Sequence, residues 1–115
     1  MPYLKIVTNR SLNGVERSAL ANTTSAWTAE QLGKSESYVM TDIRDGQTMS
    51  FAGDAAPCAY VELKSLGLSE SQTEDLAKGL CALLQGAINV DLARIYIEFS
   101  SAQRSMWGWN GKTFR

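Results

Sequence analysis

The proline at position 2, in Met1-Pro2-Tyr3, is the residue whose chemistry is least ordinary in this chain. Methionine ahead of so small a residue is normally trimmed, leaving the secondary amine of Pro2 at the terminus. An α-amino group titrates near pH ~7.7–8.0. Burial disfavours its charged form, as does a nearby cation such as Lys34, and both lower that value. A neutral amine at pH 7 is a base suited to taking a proton from carbon beside a carbonyl. The other reading is a proline that only governs N-terminal processing, and a two-residue motif does not choose. The absence of any histidine sharpens the question. It removes serine-histidine triads and the two-histidine zinc protease motif. A base working near neutrality must then be a shifted carboxylate, a shifted lysine or the terminal amine.

Lys34 follows the predicted end of a helix, where it either pairs with the helix dipole or binds a substrate anion. Tyr96 and Glu98 alternate on one predicted strand and so share a face. That face meets solvent, a pocket or an interface, and periodicity does not decide which. Trp107, Trp109 and Phe114 crowd the last residues, either anchoring the chain end or walling an apolar pocket. Cys58 and Cys81 are too few for a disulfide framework and too far apart for a zinc motif; they read as two small half-buried thiols.

The elements that must position these groups fit one domain of 115 residues, spanning 1–115. Apolar residues make up 44% and charged residues 20%, both ordinary for a globular chain. A net charge of −1 gives no basic field for nucleic acid or anionic membrane. No apolar run reaches membrane-spanning length and no secretory signal opens the chain, so a cytoplasmic location is the default.

Tyr3 to Thr8 reads as a strand, and Asn13-x-x-Glu16 as a capping box opening a helix that runs to about Leu32. Its apolar stripe is drawn by Val15, Ala19, Ala26 and Trp27, widened by Leu20 and Leu32. Gly33 supplies the left-handed closing residue. Tyr38 to Ile43 reads as a second strand, Asp45-Gly46 as a turn, and Gln47 to Phe51 as a short third strand. Cys58 to Ser65 alternates as another strand. Ser69-x-x-Gln72 then opens an amphipathic helix through Leu76, Leu80 and Leu84. Arg94 to Phe99 is a further strand, and the tail folds as a tight turn over Trp107–Gly111 and a short strand over Lys112–Phe114. The order predicts an α/β (α+β) fold. Two βαβ units build a four-stranded sheet with two helices on one face, plus short extra strands after each half.

Several segments, in order and at their spacing, resemble the macrophage migration inhibitory factor family of the tautomerase superfamily. They are Pro2-Tyr-Leu-Lys-Ile-Val-Thr-Asn9, Leu32-Gly-Lys34, Met49-Ser-Phe-Ala-Gly53 and Pro57-Cys-Ala59. Further on come Ser65-Leu-Gly67, Leu80-Cys-Ala-Leu-Leu84, Arg94-Ile-Tyr-Ile97 and Gly108-Trp-Asn-Gly-Lys-Thr-Phe114. The resemblance spans essentially the whole chain. It implies a homotrimer with active sites between subunits, and cofactor-free keto–enol tautomerisation of small aromatic 2-keto acids such as phenylpyruvate. It assigns Pro2 the proton shuttle, Lys34 the substrate carboxylate, and the Leu66 backbone N–H, beside Ser65, a supporting contact. Tyr96, Trp109 and Phe114 match the pocket aromatics, with Tyr96 given across the interface. Tyr38 and Trp107 fall nearby.

Two departures temper the expectation. Cys58-Ala-Tyr-Val61 lacks the second cysteine of the vertebrate Cys-x-x-Cys, so thiol-disulfide chemistry has no residue support. Glu98 replaces a common asparagine, putting a negative charge where it would oppose a carboxylate substrate or raise the proline pKa. Two rivals stand beside the tautomerase. One is a cytokine-like signalling or interaction protein on the same fold; the other is a decarboxylase or dehalogenase, for which nothing in the context of Arg44 or Arg104 marks either as catalytic.

Overall fold

A computed structural model describes residues 1–115. Strand β1 (Tyr3–Thr8) buries every second residue. Leu4, Ile6 and Thr8 point into the core while Tyr3, Lys5 and Val7 lie on the other face, as the two-residue period of a strand requires. Thr8 is tolerated there because its hydroxyl donates to the Cys58 carbonyl at 2.8 Å.

Helix α1 (Gly14–Leu32) starts on the expected capping box. The Glu16 N–H donates to Asn13 Oδ1 at 2.8 Å, and the Asn13 N–H donates back to Glu16 Oε1 at 2.9 Å. The inward stripe differs from the predicted one. Leu20, Thr24, Thr28 and Ala29 are buried, while Val15 at the start of the helix is 79% exposed. At about 100° per residue Val15, and with it Ala19 and Ala26, lies roughly a third of a turn or more around the helix from the Leu20–Thr24–Thr28 line and so faces away from the core.

One turn of 3-10 helix (Glu36–Tyr38) leads into β2 (Met40–Arg44), so the second strand begins two residues later than its sequence suggests. Strand β3 (Ala59–Leu66) again alternates, burying Val61, Leu63 and Ser65. Helix α2 (Glu70–Ile88) opens where predicted, with Gln72 Oε1 accepting from the Ser69 N–H at 2.9 Å. It buries Leu76, Leu80, Leu84 and Ile88, one per turn. Strand β4 (Ile95–Ala102) runs beyond its predicted end at Phe99. The tail forms a hairpin, β5 (Gly108–Trp109) against β6 (Lys112–Thr113), around Asn110 and Gly111, both at positive φ.

The sheet order is β2-β1-β3-β4. β1 and β2 are parallel, β3 and β4 are parallel, and β1 meets β3 antiparallel, so two βαβ units join through their first strands. One continuous core, containing Leu4, Ile6, Leu20, Val61, Leu63, Leu80 and Leu84, lies between the sheet and both helices. The expected strand at Gln47–Phe51 does not form; Phe51 makes only an isolated bridge to Asp54. Its surroundings are organised instead by one side chain. The Arg94 guanidinium donates to the carbonyls of Phe51 (3.2 Å), Asp54 (3.1 Å), Ala56 (3.1 Å) and Pro57 (2.9 Å), so the loop meets its hydrogen-bonding needs without a partner strand. No helix is long and apolar enough to cross a membrane.

Gly79, in the middle of α2, sets how closely the two helices approach. A Cβ there would sit 2.8 Å from Cζ2 of Trp27, which packs against the core from α1. Alanine at a helix interior gains about 1 kcal/mol over glycine in propensity. Displacing a packed ring typically costs about 1–3 kcal/mol. Gly79→Ala should therefore lower the urea midpoint or leave it flat despite the better helix former. A clear rise would show that Trp27 does not rely on the gap.

Candidate active site

The antiparallel register that sets Tyr3 opposite Lys64 carries the N-terminus alongside Ser65 and Leu66. Pro2 is buried, and its carbonyl accepts from the Met40 N–H at 3.0 Å, which fixes the terminus between the start of β2 and the end of β3. Lys34 reaches the same place because of how α1 stops. Gly33 adopts φ 62°, the left-handed conformation that glycine takes without a Cβ penalty. The Gly33 N–H donates to Glu30 and the Lys34 N–H to Ala29, closing the helix and turning the chain toward the sheet end.

These elements enclose a cleft of about 450 Å3 lined by Met1, Lys34, Tyr38, Leu66, Gly67, Arg104 and Phe114. A second cleft of about 310 Å3 adjoins it, lined by Met1, Pro2 and Tyr3 with Tyr38, Met40, Trp107 and Trp109. Met1 and Tyr38 line both. The aromatic residues form one cluster around them. Tyr38 meets Trp109 edge-on at 5.5 Å between centroids, and Trp109 stacks on Phe114 at 6.0 Å. The chain-terminal amine, here on Met1, is held below the usual value of a terminal amine by desolvation and then by the charge of Lys34. No carboxylate lines either cleft.

Of the residues named from sequence, Pro2, Lys34, Leu66, Trp109 and Phe114 thus meet at one end of the sheet, joined by Tyr38 and Trp107. Ser65 does not line the clefts. It is 1% exposed on the helix-facing side, and its hydroxyl donates only to the Leu66 carbonyl at 3.3 Å. Tyr96 and Glu98 lie elsewhere. Tyr96 is opposite Tyr60 and Ala102 opposite Leu66, so Tyr96 sits six residues along β4 from the cleft end, about 20 Å away. It is 66% exposed and packs on Phe51 at 4.9 Å. Glu98 stands opposite Glu62 on the uncovered face, with the Tyr60 hydroxyl directed at both carboxylates at 3.0 and 3.2 Å. Desolvation, then hydrogen bonds to Glu98 and Glu62, push the Tyr60 phenol up to about 12. Glu98 therefore makes no contact with the terminal amine of its own chain.

Arg104 also lines the larger cleft, although nothing in its sequence context marks it. Its Nε donates to the Phe114 carbonyl at 2.7 Å, and the Phe114 N–H returns a bond to the Arg104 carbonyl at 3.1 Å. Its place depends on how the tail folds back, which no local spacing announces. The thiols stay apart from the site; Cys58 is buried and free, and Cys81 is free with its pKa raised by burial. No three metal-ligating side chains converge.

Comparison with known proteins identifies the family and the fold. The sequence pattern of the family macrophage migration inhibitory factor (MIF) matches residues 1–115. A macrophage migration inhibitory factor homolog of Brugia malayi is 38% identical, over 99% of this chain and 99% of its own. The macrophage migration inhibitory factor of Meriones unguiculatus is 32% identical over the same shares. Among solved structures, a homologue from Prochlorococcus marinus superposes with a TM-score of 0.92 at 35% identity, covering 98% of this chain and 99% of the other. That of Trichinella spiralis gives 0.89 at 31%, covering 97% and 99%. A match over the full length in both sequence and backbone leaves one conclusion: this chain belongs to the macrophage migration inhibitory factor family and has its tautomerase-superfamily fold.

Proposed function

We propose that the chain is a cofactor-free keto–enol tautomerase of the phenylpyruvate type, with the amine of Pro2, freed by removal of Met1, as its acid and base. One observation carries the reading. The chain terminus, where desolvation and then Lys34 hold the amine on Met1 below the ordinary terminal-amine pKa, lies at the junction of two clefts with aromatic walls. Removing Met1 takes away a side chain that lines both clefts, and leaves the Pro2 nitrogen facing the joined space.

In this mechanism the carboxylate of a small aromatic 2-keto acid pairs with Lys34, supported by the Leu66 backbone N–H, and its ring rests among Tyr38, Trp109 and Phe114. The neutral Pro2 nitrogen takes a proton from the carbon next to the ketone. The electron pair of that C–H bond becomes the enol double bond, the carbonyl π pair moves onto the keto oxygen, and the protonated Pro2 returns its proton to that oxygen; the reverse steps regenerate the ketone. Excluding water strengthens the Lys34 contact and favours the neutral amine. Tyr96 and Glu98, too far along β4 to serve their own cleft, belong in this proposal to the site of a neighbouring subunit. The unpaired outer edges of β2 and β4, bearing Met40 (65% exposed) and Tyr96, support a homotrimer that covers them.

Four outcomes are expected. An amine is a base only when deprotonated, so a lowered pKa shifts the active form to lower pH. With phenylpyruvate, kcat/KM should rise with pH through an apparent pKa below the ordinary terminal-amine range and then level off. Protein that keeps Met1, verified by intact mass, has an amide at Pro2 and should be folded but inactive; equal turnover by both forms would remove Pro2 as the base.

Lys34→Ala should lower kcat/KM by roughly ten- to a hundredfold, the loss of one charge-assisted hydrogen bond of about 1.5–3 kcal/mol, with fold and assembly intact. Unchanged efficiency would return Lys34 to a helix-capping role.

Light scattering at micromolar concentration should give three times the 12.6 kDa chain mass. A fully active monomer would sink the shared site.

A further inference from the structure

The cleft carries more positive charge than a monocarboxylate needs. Across the sequence Asp and Glu number 12 against 11 Lys and Arg, yet the larger cleft is lined by two cations, Lys34 and Arg104, and no acid. Four of the eleven Lys and Arg residues form ion pairs, Arg17–Asp45, Arg44–Asp42, Lys64–Glu62 and Lys78–Glu74, whereas the two that line this cleft do not. Their charge is left for something that enters the cleft.

Arg104 is also held in place. Its Nε–H is engaged by the Phe114 carbonyl, and the backbone of Phe114 bonds back to it, so the guanidinium is tied to the segment that supplies an aromatic wall. The two outer nitrogens of the guanidinium have no partner within the protein, and they form the fork that fits a carboxylate with two parallel hydrogen bonds. In the tautomerase reading Lys34 takes the carboxylate of the 2-keto acid and Pro2 moves the proton, which leaves Arg104 without a task.

We infer that Arg104 is a second anion subsite and that the cleft selects dianionic 2-oxo acids, those with a second carboxylate at the end remote from the keto acid group. The choice of substrate class rests on the tautomerase reading, whereas the two-anion character of the cleft is testable without turnover. A cleft of about 450 Å3 is within the size range of small-molecule sites and has room for such a molecule.

The test uses trimmed protein of verified mass and two ligands that cannot tautomerise, 3-phenylpropionate and 3-(4-carboxyphenyl)propionate, titrated calorimetrically. They differ by one carboxylate. The dianion is expected to bind about ten- to a hundredfold more tightly, the value of one charge-assisted contact. Arg104→Gln should bring the affinity ratio close to one. Arg104→Lys keeps the charge but loses both the guanidinium fork and the Nε bond to Phe114, and should show a preference between those of the parent and Arg104→Gln. Equal affinities in the parent protein, no binding of either ligand, a preference that survives in Arg104→Gln, or an equal loss in Arg104→Lys would each overturn the inference. Circular dichroism and light scattering on both variants check that the tail has not simply come loose. Phenylpyruvate turnover on the same parent preparation separates the two claims. Turnover without a dianion preference ends the role of Arg104 alone; a dianion preference without turnover ends the tautomerase reading and leaves a dicarboxylate-binding cleft.

Discussion

From Tyr3 opposite Lys64 to Thr8 opposite Ala59, the antiparallel pairing of β1 with β3 makes one sheet out of two βαβ halves. Each half alone has two parallel strands and a single helix, with Leu4 and Ile6, or Val61 and Leu63, at its inner margin. Joined, these four residues are at 0% exposure beneath both helices. Burying a side chain of this kind is worth about 1.5–3 kcal/mol, so the pairing and the core reinforce each other. The same register brings the N-terminus to the end of β3. Shifting it by one residue would turn Leu4 and Ile6 outward and move Pro2 away from Leu66 and Gly67.

Charge is sorted by face. On the uncovered side of the sheet, polar groups are matched with each other. Tyr3 donates to Asp42 at 2.7 Å, and Arg44 with that phenol holds the Asp42 carboxyl below its usual range. Tyr60 lies between Glu62 and Glu98, which separates two like charges that face each other directly across β3 and β4. At the end of the sheet the arrangement is the opposite. Cations gather there without acids, desolvation favours the neutral terminal amine, and an anion entering the cleft gains in attraction what it loses in hydration. The negative net charge of the chain therefore says little about the ligand that the cleft prefers.

Much of the fold was legible because its signals are local. Asn13 and Glu16 cap α1, Gly33 ends it, and the one-per-turn leucines of α2 define its inner face; each of these depends on neighbours within a few residues. Gln47–Phe51 was misread because strand-like composition does not reveal whether an edge is free to pair. The loop there is held by Arg94, more than 35 residues away in sequence. Val15 is not core because small residues such as Ala19 and Ala26 fit either side of a helix, so the apolar spacing alone does not say which face turns inward, and Thr24 and Thr28 take that face instead.

The sequence by itself determined the order of elements, their caps, the absence of histidine and the family resemblance, since all of these are read along the chain. It also singled out Pro2, whose chemistry follows from its residue type and position. Tertiary structure decided what surrounds that residue. Only the fold brings Lys34, Leu66, Tyr38 and Phe114 to one cleft, sends Tyr96 and Glu98 to the far part of β4, buries Ser65, and turns Arg104 back to the terminus. Those outcomes depend on strand register and on a returning tail, which are long-range contacts. A linear pattern carries their ingredients, but distance in space is set only when the sheet closes.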